Sequence, residues 1–301
     1  MSGSGLKLGF IGAGRAANAL ALGLRAQGYT VAAVSSRTPS SAETLAGRVD
    51  GCAPYTDPQP VADACDLVFI TTPDSAIESM ARALRWRAGM WVAHCSGAET
   101  TDVLEAACDQ GVLTGSFHPM QTFPGTENAD ASNLSGIAYA VEGPPPLANA
   151  LKDMASALGG WPVEIDPQDR ALYHLSGFLA CGAVVALMAQ ASELWRVMGY
   201  TREQGQEALL PILRRTVDSL ESRGIPAALT GPVSRGDVST VIKHLDALES
   251  RAPAALPIYC RTALGAVSLS RERGGIDGTI ERELTQLLEE RLAGANGLFV
   301  G

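Results

Sequence analysis

A glycine-rich turn near the start of the chain restricts the possible folds more than any other feature of the sequence. It reads Gly9-Phe-Ile-Gly12-Ala13-Gly14-Arg15-Ala16-Ala17 and lies between a predicted strand, 6–11, and a predicted helix, 15–27. Gly12, Gly14 and Ala17 match the G-x-G-x-x-G/A pattern, which combines a tight turn, close ligand approach and close helix–sheet packing. Amide groups at the start of a helix also attract phosphates. The turn predicts a dinucleotide site formed by Gly12, Ala13, Gly14, Arg15 and Ala16.

The rest of the chain divides into two patterns. Up to about residue 165, short apolar runs such as 30–34 and 67–71 alternate with helical patterns, which is typical of a parallel sheet. From Gln168 onward the periodicity is almost entirely helical. We therefore predict an α/β fold, with a doubly wound parallel Rossmann sheet over 1–165 and an all-helical domain over 166–301.

Composition excludes several classes of partner. The 301 residues carry a net charge of −9, which argues against nucleic acid and anionic membranes. The six cysteines form no C-x-x-C pair and no metal-ligand spacing, so we expect free thiols in a reducing cytoplasm and no metal. The polar start Met1–Gly5 predicts no signal peptide, and we interpret the apolar stretch Leu175–Ala191 as a buried helix rather than a membrane span.

The residues after the second predicted strand indicate which dinucleotide is bound. A site for NAD carries Asp or Glu there, to bind the ribose 2′-hydroxyl. This chain has Ser35, Ser36 and Arg37 instead. Hydroxyl groups and a guanidinium suit a 2′-phosphate, so NADP is favoured, although Arg37 could also be a solvated residue at the start of a helix.

Polar residues follow the later strands, where ligands of such sheets bind. Thr71, Thr72 and Pro73 could line the cofactor ribose, and Ser96 and Gly97 would lie near the nicotinamide. Serine and threonine at strand ends can alternatively cap the next helix.

His118 also lies at a strand end, and an imidazole titrates in the range that suits proton transfer. A structural hydrogen bond is the alternative role for this histidine. Nearby Gln121 is a candidate substrate ligand.

The helical half contains two further groups of candidates. Arg170, Tyr173 and His174 lie with Gly177 along one face of a predicted helix. A Gly/Pro-containing loop and the helix that follows it carry Thr230, Arg235, Asp237 and His244. We expect these residues to bind substrate, although Asp237 could simply stabilise the first turn of its helix.

The segments GFIGAGRAA, FHPMQTF, RALYH and LTGPVSRGD followed by TVIKHL resemble the Rossmann-like proteins that carry a C-terminal domain of unknown function 2520. This family is similar to pyrroline-5-carboxylate reductase, ketopantoate reductase and 6-phosphogluconate dehydrogenase. The resemblance implies a helical second domain of the 6-phosphogluconate dehydrogenase type, which frequently forms a dimer. The family pattern has Lys and Asn where this chain has Arg170 and Gly182.

Together these features predict a cytoplasmic, homodimeric, NADP-dependent oxidoreductase acting on a small carbonyl or imine compound that bears a carboxylate. His118 or His174 would supply the proton, with Ser96 as a further catalytic candidate, and Arg235 would hold the carboxylate. A non-catalytic NADP(H) sensor or scaffold is one alternative. A prephenate-type dehydrogenase is another, because the His-Pro-Met stretch resembles one found in that family.

Overall fold

The sheet determines where functional residues can meet. The computed structural model describes residues 5–123 and 131–296. The strands are β1 (Lys7–Ile11), β2 (Thr30–Ser35), β3 (Ala53–Tyr55), β4 (Leu67–Ile70), β5 (Trp91–His94), β6 (Leu113–Pro119), β7 (Ala138–Glu142) and β8 (Trp161–Glu164). They form one eight-stranded sheet in the order β3-β2-β1-β4-β5-β6-β7-β8. Only the β6–β7 pairing is antiparallel, so β1–β6 end at the same edge. The strand order reverses between β1 and β4, where ligands of such sheets bind.

Helices cover both faces of this sheet. They are α1 (Arg15–Ala26), α2 (Pro39–Ala46), α3 (Gln59–Ala64), α4 (Ile77–Ala83), α5 (Glu105–Cys108) and α6 (Pro145–Ala157). One core contains α1, α2 and α6 packed on a ladder of aromatic rings from Phe10 through Phe69 and Phe117 to Tyr139. The other contains α3, α4 and α5 packed on Ile11 and Ile70. Adjacent residues such as Phe10 and Ile11 face opposite cores because strand side chains alternate. The predicted doubly wound fold is confirmed.

The remaining helices follow the sheet. They are α7 (Arg170–Ala180), α8 (Gly182–Val197), α9 (Arg202–Arg223), α10 (Val238–Arg251), α11 (Leu256–Glu272) and α12 (Gly278–Asn296). The single helix expected over 168–198 is interrupted at Cys181. The chain forms two compact units, which divide after Gly182, so α7 belongs with the sheet although the strands end near the predicted boundary of 165. In the second unit, apolar residues of α10, α11 and α12 form the core, including Leu245, Cys260 and Leu288.

The apolar stretch Leu175–Ala191 is not buried, contrary to our expectation. Phe178 is 55% exposed and Val185 is 71% exposed. Among the described residues, Pro167–Val197 is long and apolar enough to span a membrane by length and composition, and none of its most apolar window is buried. An apolar sequence indicates that a helix face packs against other apolar groups. It does not show that those groups belong to the same chain.

Candidate functional site

The glycine turn after β1 leaves space for a ligand. Gly12 has a φ of +111°, and a Cβ there would lie 2.7 Å from the Thr71 carbonyl oxygen, so only glycine fits. A Cβ at Gly14 would meet no atom within 4 Å, and its φ is −75°. Neither backbone conformation nor internal packing therefore requires glycine at position 14. The open space in front of it is where a ligand can approach the start of α1.

A cavity of about 350 Å³ lies over this turn. Its lining contains most of the residues expected to bind the cofactor: Gly12, Ala13, Gly14, Ser35, Ser36, Arg37, Thr71, Thr72 and Pro73. It also contains residues that the sequence analysis missed: Ile11, Thr56, Pro58, Ala76, Ser79 and Met80. Thr56 directly follows β3, a strand too short to give a clear alternating pattern. The cavity lining includes neither Arg15 nor Ala16, the first residues of α1.

The end of β2 presents a cation at one side of this cavity. Arg37 is exposed, and no carboxylate of the described residues 5–123 and 131–296 forms an ion pair with it. The Ser36 hydroxyl accepts a hydrogen bond from the Thr38 amide at 3.2 Å. Ser35 is buried, and its carbonyl accepts from the Gly12 amide at 2.8 Å. Ser36 and Arg37 therefore remain candidate phosphate ligands, whereas the Ser35 backbone supports the glycine turn.

The two threonines after β4 have different environments. The Thr71 hydroxyl donates to the turn, with its Oγ1 2.9 Å from the Gly12 carbonyl oxygen. The Oγ1 atom of Thr72 is buried without any hydrogen-bond partner in the described structure. A buried hydroxyl without a partner is costly, so Thr72 remains a candidate to bind a ligand in the cavity.

The Ser96 side chain holds a turn together, which supports the alternative of a structural role, and its catalytic role stays a prediction. Ser96 is buried, and its Oγ accepts hydrogen bonds from the amides of Ala98 at 3.2 Å and Glu99 at 3.1 Å. Its own amide donates to Nδ1 of His94, whose Nε2 lies 3.2 Å from the Thr100 carbonyl oxygen. Burial lowers the pKa of His94 to about 3, so this ring is neutral and structural.

Gly97, the next residue, faces a pair of histidines. A Cβ on Gly97 would lie 2.7 Å from Nε2 of His118 and 2.7 Å from Cδ2 of His174. The two imidazole rings are perpendicular, with centroids 6.0 Å apart. Nδ1 of His118 lies 2.9 Å from the hydroxyl oxygen of Tyr173. The structure therefore brings together four predicted site residues, from the ends of β5 and β6 and from α7.

The protonation states in this cluster follow from its burial. Burial, followed by the neighbouring His174 and Arg170, lowers the pKa of His118 to about 4, so its imidazole is neutral near pH 7. Burial raises the pKa of Tyr173 to about 12, so its hydroxyl keeps its proton and can donate it to the closest acceptor, Nδ1 of His118. The Tyr173 hydroxyl also lies 3.4 Å from the His118 carbonyl oxygen. With the hydroxyl as donor to Nδ1, the hydrogen of the neutral ring would be on Nε2, the ring nitrogen beside Gly97.

Arg170 is buried and bound by protein groups, which corrects its expected role as a substrate ligand. Its side chain is 1% exposed and forms an ion pair with Glu142 at 3.0 Å. Its guanidinium also donates to the Ser116 hydroxyl and to the Ser96 carbonyl, both at 2.7 Å. A substrate could bind Arg170 only by displacing these partners. Its Nε has no partner in the described structure.

Three further candidates remain predictions. Gln121 is exposed, with its Nε2 donating to the Asn133 carbonyl at 3.2 Å. Thr230 and Arg235 are exposed residues of the second unit. Their roles are not determined by local contacts.

Asp237 and His244 have local partners in the second unit. Asp237 caps α10, because its carboxylate accepts from the Thr240 amide at 3.0 Å and from the Thr240 hydroxyl at 2.7 Å. This supports the alternative role at the start of its helix, as a cap, and its substrate role stays a prediction. His244 lies 3.0 Å, through Nδ1, from the Tyr259 hydroxyl oxygen, beside an apolar pocket of about 480 Å³. Among the described residues, no group of His, Cys, Asp or Glu side chains could hold a metal ion.

Gly182, the first residue of α8, packs against the ring of Phe178. A Cβ on Gly182 would lie 2.8 Å from the ring of Phe178, so a larger residue would displace that ring. Where the family pattern has asparagine, this chain therefore offers no side chain for binding a carbonyl group.

Comparison with known proteins is consistent with this architecture. A Rossmann-like domain model matches residues 1–119, and the model of the domain of unknown function DUF2520 matches residues 137–265. BF3122 from Bacteroides fragilis, assigned as an NADP oxidoreductase, is 26% identical with a TM-score of 0.71, over 88% of this chain and 99% of its own. No curated protein sequence matches the chain.

Two more distant solved structures share the fold. Pyrroline-5-carboxylate reductase from Streptococcus pyogenes is 15% identical with a TM-score of 0.55, over 96% of this chain and 98% of its own. A reductive aminase from Aspergillus terreus, in complex with NADPH and ethyl-5-oxohexanoate, is 17% identical with a TM-score of 0.59. The match covers 96% of this chain and 94% of the aminase chain. Models of a Rossmann-like domain and of the domain of unknown function 2520 therefore match successive parts of the chain, and the chain shares its fold with BF3122, pyrroline-5-carboxylate reductase and reductive aminase.

Proposed function

We propose that this protein is an NADP(H)-dependent oxidoreductase that transfers a hydride between the nicotinamide and a small carbonyl or imine compound. The observation that carries the proposal is the position of two features at one edge of one sheet. The cavity over the glycine turn follows β1, β2 and β4, and the histidine pair around Gly97 follows β5 and β6. A cofactor extending along this edge would reach the histidines with its reactive end.

The residues present fit NADP(H). The open space at Gly14 suits the pyrophosphate, and the buried hydroxyl of Thr72 lacks a partner that a bound cofactor would provide. Arg37, unpaired with any carboxylate in the described chain, and Ser36 would hold the 2′-phosphate. NADPH is also present in the structure of the similar reductive aminase.

The histidine pair supports hydride transfer to a polar double bond. NADPH supplies the hydride when bound, and the chain must stabilise the charge that develops on the oxygen or nitrogen of the substrate. The neutral His118 can donate a hydrogen bond through Nε2, as Tyr173 holds the opposite ring nitrogen. His174 is exposed and can exchange protons with water, so we assign it the role of proton donor.

The substrate we propose bears a carboxylate. The similar S. pyogenes protein is named for a carboxylated cyclic imine. This similarity favours 2-oxo acids and cyclic imino acids as the compounds to test first.

The proposal is tested by following NADPH absorbance with a panel of 2-oxo acids, cyclic imino acids and uncharged cyclic imines. We expect turnover with a carboxylated member, and a loss of about 10²-fold or more in His118→Gln or His174→Gln. Tight NADPH binding without consumption by any panel member would instead identify a non-catalytic sensor. The missing side chain at Gly182 is the observation that favours this second function.

We propose, in addition, that the protein is a cytoplasmic homodimer. Apart from Trp161, every exposed large apolar side chain of the described residues lies between 172 and 242. Monomeric proteins rarely expose so much apolar surface, and a second copy would cover it. All six cysteines are free, which is consistent with a reducing compartment.

Sedimentation equilibrium tests the dimer. We expect a dimer that Val185→Glu, at a 71% exposed position, converts to monomer, while the control Trp161→Glu, at a 57% exposed position, stays dimeric. A monomeric wild-type protein, or one that binds neutral lipid vesicles through this surface, would contradict the proposal.

A further inference from the structure

Arg170 joins three neighbouring strands to the first turn of α7. Its guanidinium contacts the Ser96 carbonyl after β5, Ser116 on β6 and Glu142 at the end of β7. These groups come from regions of the chain far apart in sequence. Arg170 is also the largest fully buried side chain in the described structure.

Stability alone does not explain such a buried pair. Taking a guanidinium and a carboxylate out of water is costly, and apolar residues of similar volume often stabilise a fold equally well or better. The geometry, by contrast, requires this side chain, because only the planar fork of arginine donates several hydrogen bonds in fixed directions. Glu142 is fixed as well, since its second oxygen accepts from the Thr101 hydroxyl at 2.8 Å.

Arg170 is connected to the histidine cluster in two ways. It binds the Ser96 carbonyl, which belongs to the peptide that connects Ser96 to Gly97. Tyr173 and His174 follow Arg170 within about one turn of α7, so the anchored end sets their position. Tyr173 in turn orients His118.

We propose that Arg170 is a positioning residue, which fixes the peptide before Gly97 and the start of α7 so that His118 and His174 face the substrate. The inference rests on the proposed function, because it assigns the histidine cluster to the substrate. It requires no contact between Arg170 and the substrate. Its effect is on the orientation of His118, which can be measured without turnover.

The test separates positioning from stability with the double variant Arg170→Met/Glu142→Leu, which removes both charges together. We expect its melting temperature to exceed that of Arg170→Met, which leaves the Glu142 carboxylate without its partner. We expect NADPH affinity within about threefold of wild type, but kcat/KM lower by about 10²-fold, the effect of displacing reacting groups by about 1 Å. Arg291→Met is the control, because it removes an arginine that forms ion pairs with Asp246 and Glu249 in the second unit, and it should keep full activity.

The second readout is the ¹⁵N chemical shifts of the His118 ring, recorded without substrate. Wild type should show one neutral tautomer with the hydrogen on Nε2, and the double variant a mixture of tautomers. This measurement stays valid if no panel substrate is turned over, so failure of this inference is distinguishable from failure of the proposed function. If the double variant does not fold, Arg170→Lys, which keeps the charge without the fork, should show the same changes. Wild-type ring shifts or wild-type kcat/KM in the folded variant would overturn the proposal.

Discussion

Replacing Gly97 with alanine would push a methyl group against the two histidines that we propose act on the substrate. The added Cβ would lie 2.7 Å from both His118 Nε2 and His174 Cδ2, whereas ordinary van der Waals contacts begin at 3.4 Å. Each contact is therefore about 0.7 Å too short (3.4 − 2.7), so both rings or the Gly97 backbone must shift. Gly97 is not among the glycines with positive φ, so alanine introduces no backbone strain and acts only through this contact.

The expected effect on function is larger than the effect on stability. Overpacking a buried position costs about 1–3 kcal/mol, which a domain of this size can tolerate. Displacing a reacting group by about 1 Å lowers the rate by about 10²-fold. We therefore expect Gly97→Ala to remain folded, with kcat/KM reduced by about two orders of magnitude.

The assay compares kcat/KM and thermal unfolding of Gly97→Ala with those of Gly9→Ala. A Cβ on Gly9 would lie 2.6 Å from Val61 Cγ1 and 2.7 Å from Cys65 Sγ, so the control has similar overpacking away from the histidines. We expect the control to lose comparable stability and to keep kcat/KM within about threefold. Wild-type kcat/KM in Gly97→Ala, or equal losses of activity in both variants, would refute a catalytic role for the histidines that pack against Gly97.

Three further predictions test individual groups. Tyr173→Phe removes the hydroxyl that lies 2.9 Å from His118 Nδ1. We expect kcat/KM to fall by about tenfold, which corresponds to the free energy of one hydrogen bond, while NADPH affinity stays unchanged in fluorescence titration. Gly14→Val adds its side chain in open space, so thermal stability should change little while NADPH binding is lost; retained binding would contradict the placement of the pyrophosphate. Hydrogen bonds from Thr240 and Ser239 lower the pKa of Asp237 to about 2, so the stabilisation by this cap is complete above pH 4 and lost as the pH falls toward 2. Asp237→Ala should therefore destabilise the protein at pH 7 and lose this effect near pH 2, as measured by circular dichroism at both pH values.

Features that depend on local sequence could be predicted from the sequence. The turn around Gly12 and Gly14 was predictable because the tight turn, the strand before it and the helix after it are encoded within a few residues. The exchange of an acidic residue for Arg37 at the end of β2 is equally local.

Features that depend on distant contacts could not be predicted in this way. Arg170 and the Ser96 carbonyl are separated by 74 positions, and Tyr173 and His118 by 55, so no periodicity indicates that they meet. The sequence shows that Arg170 can bind an anion, but it does not show that Arg170 already forms an ion pair with Glu142.

The most direct test of the central claim is titration of the wild-type protein and Arg37→Ala with NADPH and NADH. We expect wild type to prefer NADPH, and Arg37→Ala to lose roughly 10–100-fold in NADPH affinity with little change for NADH, since a charged hydrogen bond contributes about 1.5–3 kcal/mol. Arg25→Ala, at an exposed position in the last turn of α1, is the matched control and should bind both nucleotides as wild type does. Absence of binding by either nucleotide, or equal affinities that Arg37→Ala leaves unchanged, would contradict an NADP-dependent oxidoreductase.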